Sequence, residues 1–380
     1  GAHKNTEAEV EFCIVGKGLS LTGLQGYGYA DNVEVYIDGE FKGTVEVYHP
    51  VDRYNRLLYL IDDLEDTKHH VAIKVRVKTP NPKAVSYDMR LDAIDILSDR
   101  EDGGMLLHPD EVLDIKDLDI GKRIRCHYTA TNNQVGVFSN LGKEVYVDGI
   151  NDFIPPTSSA TPNGCFYFIC VDKDHLGRWK LIADRNIQHS ISWDTLNNAG
   201  IASGSGINYS LNDQGATIRL LTGGVSSTDK DNEWDKYIVN SDLNGIIEPG
   251  DNNVWNWNVS TYSWTSTTPS GSYNDRRVLR GYNSLTGWAN VTSNNATNQR
   301  GFRPVLLLDS EIQKILLKDN VTGSYYYYDN DWKSLGVPEN NDELNTWLSE
   351  YGMEKINGQH LLTFKQNIGN KVKFVFKLEK

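Results

Sequence analysis

Short runs of alternating apolar and polar residues dominate the first hundred positions of this chain. Val33, Val35 and Ile37 alternate with Glu34, Tyr36 and Asp38, the period of a strand with one buried and one wet face. Asp38-Gly39 follows as a tight hairpin turn, and Val45 and Val47 continue on the return strand. Val71, Ile73, Val75 and Val77 alternate with Ala72, Lys74, Arg76 and Lys78, and the run Leu-Asp-Ala-Ile-Asp-Ile-Leu at 91–97 closes the pattern. Short strands with turn signals at this spacing predict a β-sandwich over residues 4–98. The charged, glycine-ended stretch 98–104 reads as a linker.

A second segment, residues 105–310, mixes strands with short helices. Residues 123–129 and 165–172 read as strands, split by a Pro/Ser/Thr loop at 155–164. A helix is predicted from Ser192 as N-cap to Gly200 past its end, with Trp193, Leu196 and Ala199 along its inner side. Another is predicted near Asp231, where Asp231, Glu233 and Asp235 suit the positive end of the helix dipole and Trp234, Tyr237 and Ile238 fit a buried stripe. Trp255 and Trp257, two apart, would share one face of a strand, and residues 305–308 form a short buried-strand run after Arg303-Pro304. Residues 311–380 read as a small α+β piece. Its expected parts are a hairpin from 314–318 and 325–328 around a turn at 320–323, Asp331-Trp-Lys, a helix at 342–350 and a final strand at 371–378.

Composition narrows the class. Twenty Tyr and nine Trp against three Met suit a β-rich, aromatic protein. A net charge of −13 argues against nucleic acid and against an anionic membrane surface, and no apolar run is long enough to span a bilayer. The opening Gly-Ala-His reads as a cloning remnant, so a leader upstream of Lys4 stays open. Cys165 and Cys170 lie five apart on a predicted strand, on opposite faces and roughly 16 Å apart, so they cannot bridge each other there. All four cysteines read as buried small hydrophobes.

The chain has no Walker loop, HExxH, G-x-S-x-G or EF-hand loop. His189, near Ser190 and Asp194, reads as a hydrogen-bonded structural histidine rather than part of a triad. No cofactor is expected. Structural calcium is the one ion to weigh, at Asp62, Asp63, Glu65 and Asp66 or at Asp229, Asp231, Glu233 and Asp235. The plainer reading of these clusters is a solvated turn and a charged helix start.

Three sets of motifs carry resemblances. V-E-V-Y-I-D-G-E-F-K-G-T-V, H-H-V-A-I-K-V and L-D-A-I-D-I resemble the galactose-binding-like jelly rolls of carbohydrate-binding modules. The order W-x-W, R-V-L-R-G and G-F-R-P-V resembles the C-type-lectin-like fold, in the branch shared by formylglycine-generating enzymes and phage tropism determinants. R-N-I-Q-H-S-I-S-W-D-T-L-N, D-N-N-V-W-N-W and the C-terminal I-L-L-K-D, Y-Y-Y-Y and D-W-K-S-L-G resemble phage and prophage tail proteins of Firmicutes. The resemblance implies a mainly β protein with some α+β: an N-terminal β-sandwich jelly roll, a central C-type-lectin-like domain and a small C-terminal α+β piece. Formylglycine-generating enzymes work through a late cysteine pair, and no cysteine follows Cys170. A non-enzymatic binder is therefore expected.

Sugars pack C–H faces on Trp and Tyr rings and bond hydroxyls to Asn, Asp and Arg. Trp255, Trp257, Arg280 and Arg303 match landmarks of the lectin-like frame and are expected in its packing. Tyr262, Trp264, Tyr273, Tyr282, Trp288, Asn290, Asn294 and Asn295 fall outside it and are the expected ligand contacts. In the N-terminal segment, which holds no Trp, Tyr27, Tyr48 and Tyr54 with Asp52 are the alternatives. The expected partner is a bacterial cell-surface glycan or protein receptor, and the expected location a phage tail particle or the extracellular space. A homo-oligomer would suit a tail fibre, though no heptads show. The competing readings are a secreted carbohydrate-binding protein and a structural tail protein without a ligand.

Overall fold

Nine short strands account for the first third of the chain: β1 (Ala8–Gly16), β2 (Gly18–Gln25), β3 (Val33–Ile37), β4 (Glu40–Val45), β5 (Arg53–Ile61), β6 (Thr67–Val75), β7 (Leu91–Leu97), β8 (Met105–Leu107) and β9 (Glu111–Val112). The computed structural model describes residues 8–29, 33–76, 89–100, 103–142, 153–174, 177–202, 206–211, 214–271, 273–308, 316–318, 322–329, 331–350, 362–368 and 371–377. The fold is mainly β, in several sheets, with little helix. A five-stranded sheet in the order β4-β3-β6-β1-β8 faces a three-stranded one in the order β5-β2-β7. Phe12, Ile14, Leu19, Leu21, Val33, Val35, Ile37, Val71, Ile73 and Val75 form their shared core, with Tyr59, Ile61, Ile94 and Ile96 packed against it. Each such aliphatic side chain stabilises the fold by about 1.5–3 kcal/mol, which is why the alternation predicted the strands. Val77 and Lys78 of the predicted strand lie outside the described residues.

The expected linker is part of the sandwich. Ser98 Oγ donates to both carboxylate oxygens of Asp66 at 3.0 Å, and the backbone N–H of Asp99 adds a third bond at 2.9 Å. Lys17 pairs with Asp99. β8, which the sequence assigned to the next domain, extends the five-stranded sheet by pairing antiparallel with β1, Cys13 opposite Leu107 and Val15 opposite Met105. Cys13, Val15, Met105 and Leu107 form a small core of their own there.

His69 ties the turn after β3 to the turn before β6. Its Nδ1 lies 2.6 Å from Asp38 Oδ2 and its Nε2 lies 2.8 Å from the Glu65 carbonyl oxygen. Both partners only accept, so both bonds form only on the imidazolium. Burial alone would lower the pKa of His69, but the bonds to Asp38 and Glu65 outweigh it and raise it above 6.5. A raised folded-state pKa gives stability that is complete below about 6.5 and lost as pH rises through the higher folded value. Asp38 shifts the other way: burial opposes, but its bonds to His69 and His70 lower it, so its share is lost only in acid. Wild-type melting temperature should therefore fall between pH 6 and pH 8. The His69→Gln variant should melt lower at pH 6 and show a flatter profile; parallel profiles for the two proteins would refute the link.

The middle of the chain adds a 3-10 turn at Ile115–Asp117, then β10 (Arg123–Thr129), β11 (Val137–Ser139), β12 (Asn163–Lys173), β13 (Trp179–Ala183), β14 (Gln188–His189), α1 (Trp193–Asn198), β15 (Ile207–Leu211), β16 (Gln214–Leu220) and a π-helix, Trp234–Val239. After these come α2 (Asn252–Trp255), β17 (Tyr262–Trp264), β18 (Arg276–Gly281), β19 (Trp288–Thr292), β20 (Arg300–Phe302) and β21 (Pro304–Leu308). Strand β10 pairs with β11 and β12, and in parallel with β9. A separate sheet runs β14-β20-β17-β18-β19. Helix α1 begins as predicted, Ser192 Oγ accepting from Thr195 N–H at 3.0 Å.

One expectation fails here and one holds with a change. The W-x-W pair is not a strand: Asp251 caps α2 through Asn253 N–H, and Asn256 ends it in the left-handed region at φ 44°. Trp255 is buried and Trp257 half-buried, its indole N–H donating to Gly250 O at 2.8 Å. The second helix starts at Trp234, near Asp231 as expected, with Trp234, Tyr237 and Ile238 buried. Asp235 lies in its first turn, but buried rather than at a charged surface.

The chain forms two compact units: residues 1–171, 181–207 and 218–305 in the first, and 172–180, 208–217 and 306–380 in the second. The two predicted N-terminal segments thus fall largely in one unit. The second unit contains the sheet of β22 (Leu316–Lys318), β23 (Tyr325–Asp329) and β24 (Asp331–Gly336), the helix α3 (Asn341–Glu350), and the antiparallel pair β25 (Leu362–Ile368) and β26 (Lys371–Lys377). Residues 314, 315, 320, 321 and 378 of the predicted elements lie outside the described set. Among the described residues, no helix is long and apolar enough to cross a membrane.

Candidate functional site

One buried ion pair shapes the end of β18. Arg280 Nη1 lies 2.6 Å from Asp235 Oδ2 and Nη2 lies 3.1 Å from Oδ1, with both side chains 1% exposed. Asn232 Nδ2 donates to the same carboxylate at 2.8 Å. Burial works to raise the Asp235 pKa, but the bonds from Arg280 and Asn232 hold it below the usual carboxylate value. Arg280 Nε also reaches Gly287 O at 3.0 Å, and the Trp234 indole N–H reaches Leu285 O at 3.0 Å. The loop leaving β18 is thereby clamped at its far end. Gly281 then turns at φ 85° with Trp234 only 3.1 Å from where a Cβ would stand, room that glycine alone leaves freely.

Tyr282 follows, also with positive φ, at 87°. A bulky residue there is an outlier that the surroundings must impose. Its carbonyl oxygen accepts from Val259 N–H at 3.0 Å and Ser260 N–H at 3.1 Å, locking it to the turn that precedes β17. This turn places the Tyr282 ring on Tyr262: centroids 4.6 Å apart, planes 13° from parallel. Arg300 lies over Tyr262 at 5.5 Å, and Gln299 Nε2 donates to the Tyr282 hydroxyl at 3.2 Å. Both tyrosines and Arg300 are half-buried and Gln299 is exposed. The result is a stacked tyrosine pair with a guanidinium over Tyr262 and an amide on the Tyr282 hydroxyl, a group able to pack an apolar ring face and bond the hydroxyls around it.

Other predicted contacts are dispersed. Trp264 is fully buried and its indole N–H donates to Ile191 O at 2.8 Å, so it packs the core and meets no ligand. Trp288 is half-buried, its N–H spent on Gly224 O at 3.0 Å. Tyr273 and Asn290 are gathered by Arg276, which lies 5.6 Å over the Tyr273 ring and donates to Asn290 Oδ1 at 2.8 Å. That group sits at the opposite end of β18 from Tyr282, about 20 Å along the strand. Asn294 is exposed in the turn after β19, where Asn295 accepts from Thr297. In the sandwich, Tyr27 and Tyr48 lie 6.1 Å apart and Asp52 packs beside Gly26, whereas Tyr54 projects from β5, 68% exposed.

Arg300 escaped the sequence reading because it opens R-G-F-R, a run read as frame, and Gln299 because it lies just before that run and past the candidate contacts that end at Asn295. The rest of that run is structural: Phe302 is fully buried, and Arg303, also fully buried, donates to Ala183 O, Trp255 O and Ser263 Oγ.

Neither acidic cluster is arranged for calcium, and no three candidate ligands converge among the described residues. Glu233 is bound by Arg219 at 2.6 Å, Asp235 by Arg280, and Asp229 accepts from Val225 and Asp231 N–H. Asp66 is occupied by Ser98. His189 Nδ1 meets Ser190 Oγ at 2.9 Å. All four cysteines are buried, Cys126 Sγ donating to Ser139 O at 3.4 Å.

No family model matches this chain, and neither a curated protein nor a solved structure matches it.

Proposed function

We propose that this chain recognises a carbohydrate of the bacterial cell surface without catalysis, as a tail component of a phage or prophage, through the platform of Tyr262 and Tyr282. The observation that carries the reading is a strained Tyr282 backbone held in place so that two tyrosine rings stack at 4.6 Å at the surface. Strain of this kind costs of order 1–3 kcal/mol and persists where the surroundings enforce it, often at binding sites. The motif order W-x-W, R-V-L-R-G, G-F-R-P-V and the tail-protein-like phrases support the lectin-like and phage assignments. The net charge of −13 supports a partner other than nucleic acid.

The test is binding of the labelled chain to purified Gram-positive wall polysaccharides. Tyr282→Asn removes the ring and tolerates the left-handed backbone better than most residues; Tyr262→Ala removes its partner. Each should weaken binding about tenfold or more, as loss of an aromatic anchor does, with melting temperature nearly unchanged. Binding retained in both variants would shift the reading to Tyr27, Tyr48 and Asp52 of the sandwich. Their proximity is the observation favouring that second place.

A further inference from the structure

The arginines of the first unit that lie at least half-buried mostly answer a carboxylate. Arg123, Arg125, Arg185, Arg219 and Arg280 pair with Asp110, Glu111, Asp184, Glu233 and Asp235. Arg303, with no such partner, is enclosed by backbone oxygens and the Ser263 hydroxyl, and Arg276 and Arg277 reach the Asn290 amide and backbone oxygens. Arg300 differs from all of these. Its protein hydrogen bond among the described residues is from Nη1 to the carbonyl of its own neighbour, Gln299, at 3.1 Å. Its Nε is buried and unpartnered, and no acidic group pairs with it among the described residues. Burial lowers its pKa, so the surroundings cost this cation solvation and return little. In a chain with 51 acidic residues against 38 basic ones, leaving this guanidinium unanswered beside an aromatic platform is notable: the fork keeps Nη2 open for a planar oxyanion.

We propose that Arg300 forms an anion subsite, and that the saccharide resting on Tyr262 and Tyr282 carries a carboxylate or a phosphate on the edge that faces Arg300. This rests on the carbohydrate reading above and narrows it to acidic polymers. Uronic-acid and polyol-phosphate polymers share the required chemistry, an oxyanion beside a ring or polyol face.

The direct test is NMR of the full chain labelled with 15N, following the Arg300 Nε–Hε signal, identified by its loss in Arg300→Gln. The probes are sodium glucuronate, glycerol phosphate and, as the neutral control, glucose, at matched ionic strength because exposed charge interactions are screened by salt. Saturable displacement of the signal by one of the anions, with none by glucose, is the expected result, and the stronger anion identifies the source. No displacement by either anion, or an equal one by glucose, would overturn the subsite. On wall polymers, Arg300→Gln should lose about tenfold more affinity for acidic ones than for neutral ones, while Tyr282→Asn loses both alike. Binding of polymers by wild type with no Arg300 dependence would overturn the anion subsite alone. Absence of binding to every polymer, together with a silent Arg300 signal, would overturn both readings.

Discussion

Replacing Asp235 with alanine is expected to destabilise the first unit by about 3–5 kcal/mol, the usual cost of removing one partner from a buried ion pair. The pair contributes little net stability as it stands, because desolvation offsets most of its attraction. What makes the variant severe is the cation left behind. Arg280 is 1% exposed and has no route to water without withdrawing from Gly223 O and Gly287 O, which it also serves at 2.9 and 3.0 Å. At about 2–4 °C per kcal/mol for a unit of this size, the melting temperature should fall by roughly 6–20 °C. Asp235→Leu combined with Arg280→Met should recover a good part of that loss. A single variant within 1 kcal/mol of wild type would refute the buried-pair account. The pH dependence follows from the lowered pKa of Asp235: its contribution is complete above the ordinary carboxylate value and disappears as pH falls through the folded one.

Trp264→Ala should cost a similar amount, about 3–5 kcal/mol, by opening a cavity in the core. The ring is fully buried and the lost indole leaves Ile191 O without its donor. Denaturation should show the loss directly, with Trp264→Phe intermediate. Below its melting temperature the alanine variant should bind wall polymer nearly as wild type does, whereas Tyr282→Asn should melt normally and bind poorly. Trp264→Ala folding with wild-type stability would contradict its assignment to the core.

These opposite fates show what the sequence could and could not express. The sandwich was legible because Val33, Val35, Ile37, Val71, Ile73 and Val75 obey a period of two and bury the face that period selects. The capped helix at Ser192 was legible for the same reason, a local rule followed locally. Trp255 and Trp257 misled because residues two apart suit a strand, yet the Asp251 cap and the left-handed Asn256 make a helical turn instead. Strands β1 and β2 were missed because both are buried on most of their length and so alternate little. Trp264 and Tyr262 sit two residues apart on one strand, and only its packing decides that one is core and the other surface. Pairing Tyr262 with Tyr282 needs the β17–β18 register, Tyr262 opposite Gly281, which no spacing in the chain encodes. The acidic cluster at 229–235 could not be read locally, because the counter-charges of Glu233 and Asp235, Arg219 and Arg280, come from other strands.

The pairing of β8 with β1 bears on how the chain would carry load. Met105, Leu106 and Leu107 lie across from Val15, Ile14 and Cys13, so the segment that leads toward the tyrosine platform leaves from inside the sandwich's own sheet. A pull applied to the chain beyond β8 would reach the sandwich by sliding one strand along another, a geometry in which the backbone bonds of the pair resist together. A floppy tether would stretch first and let the two parts swivel. Here the chain leaves the sandwich from a paired strand, so the first three residues of the exit are tied down by the ladder to β1.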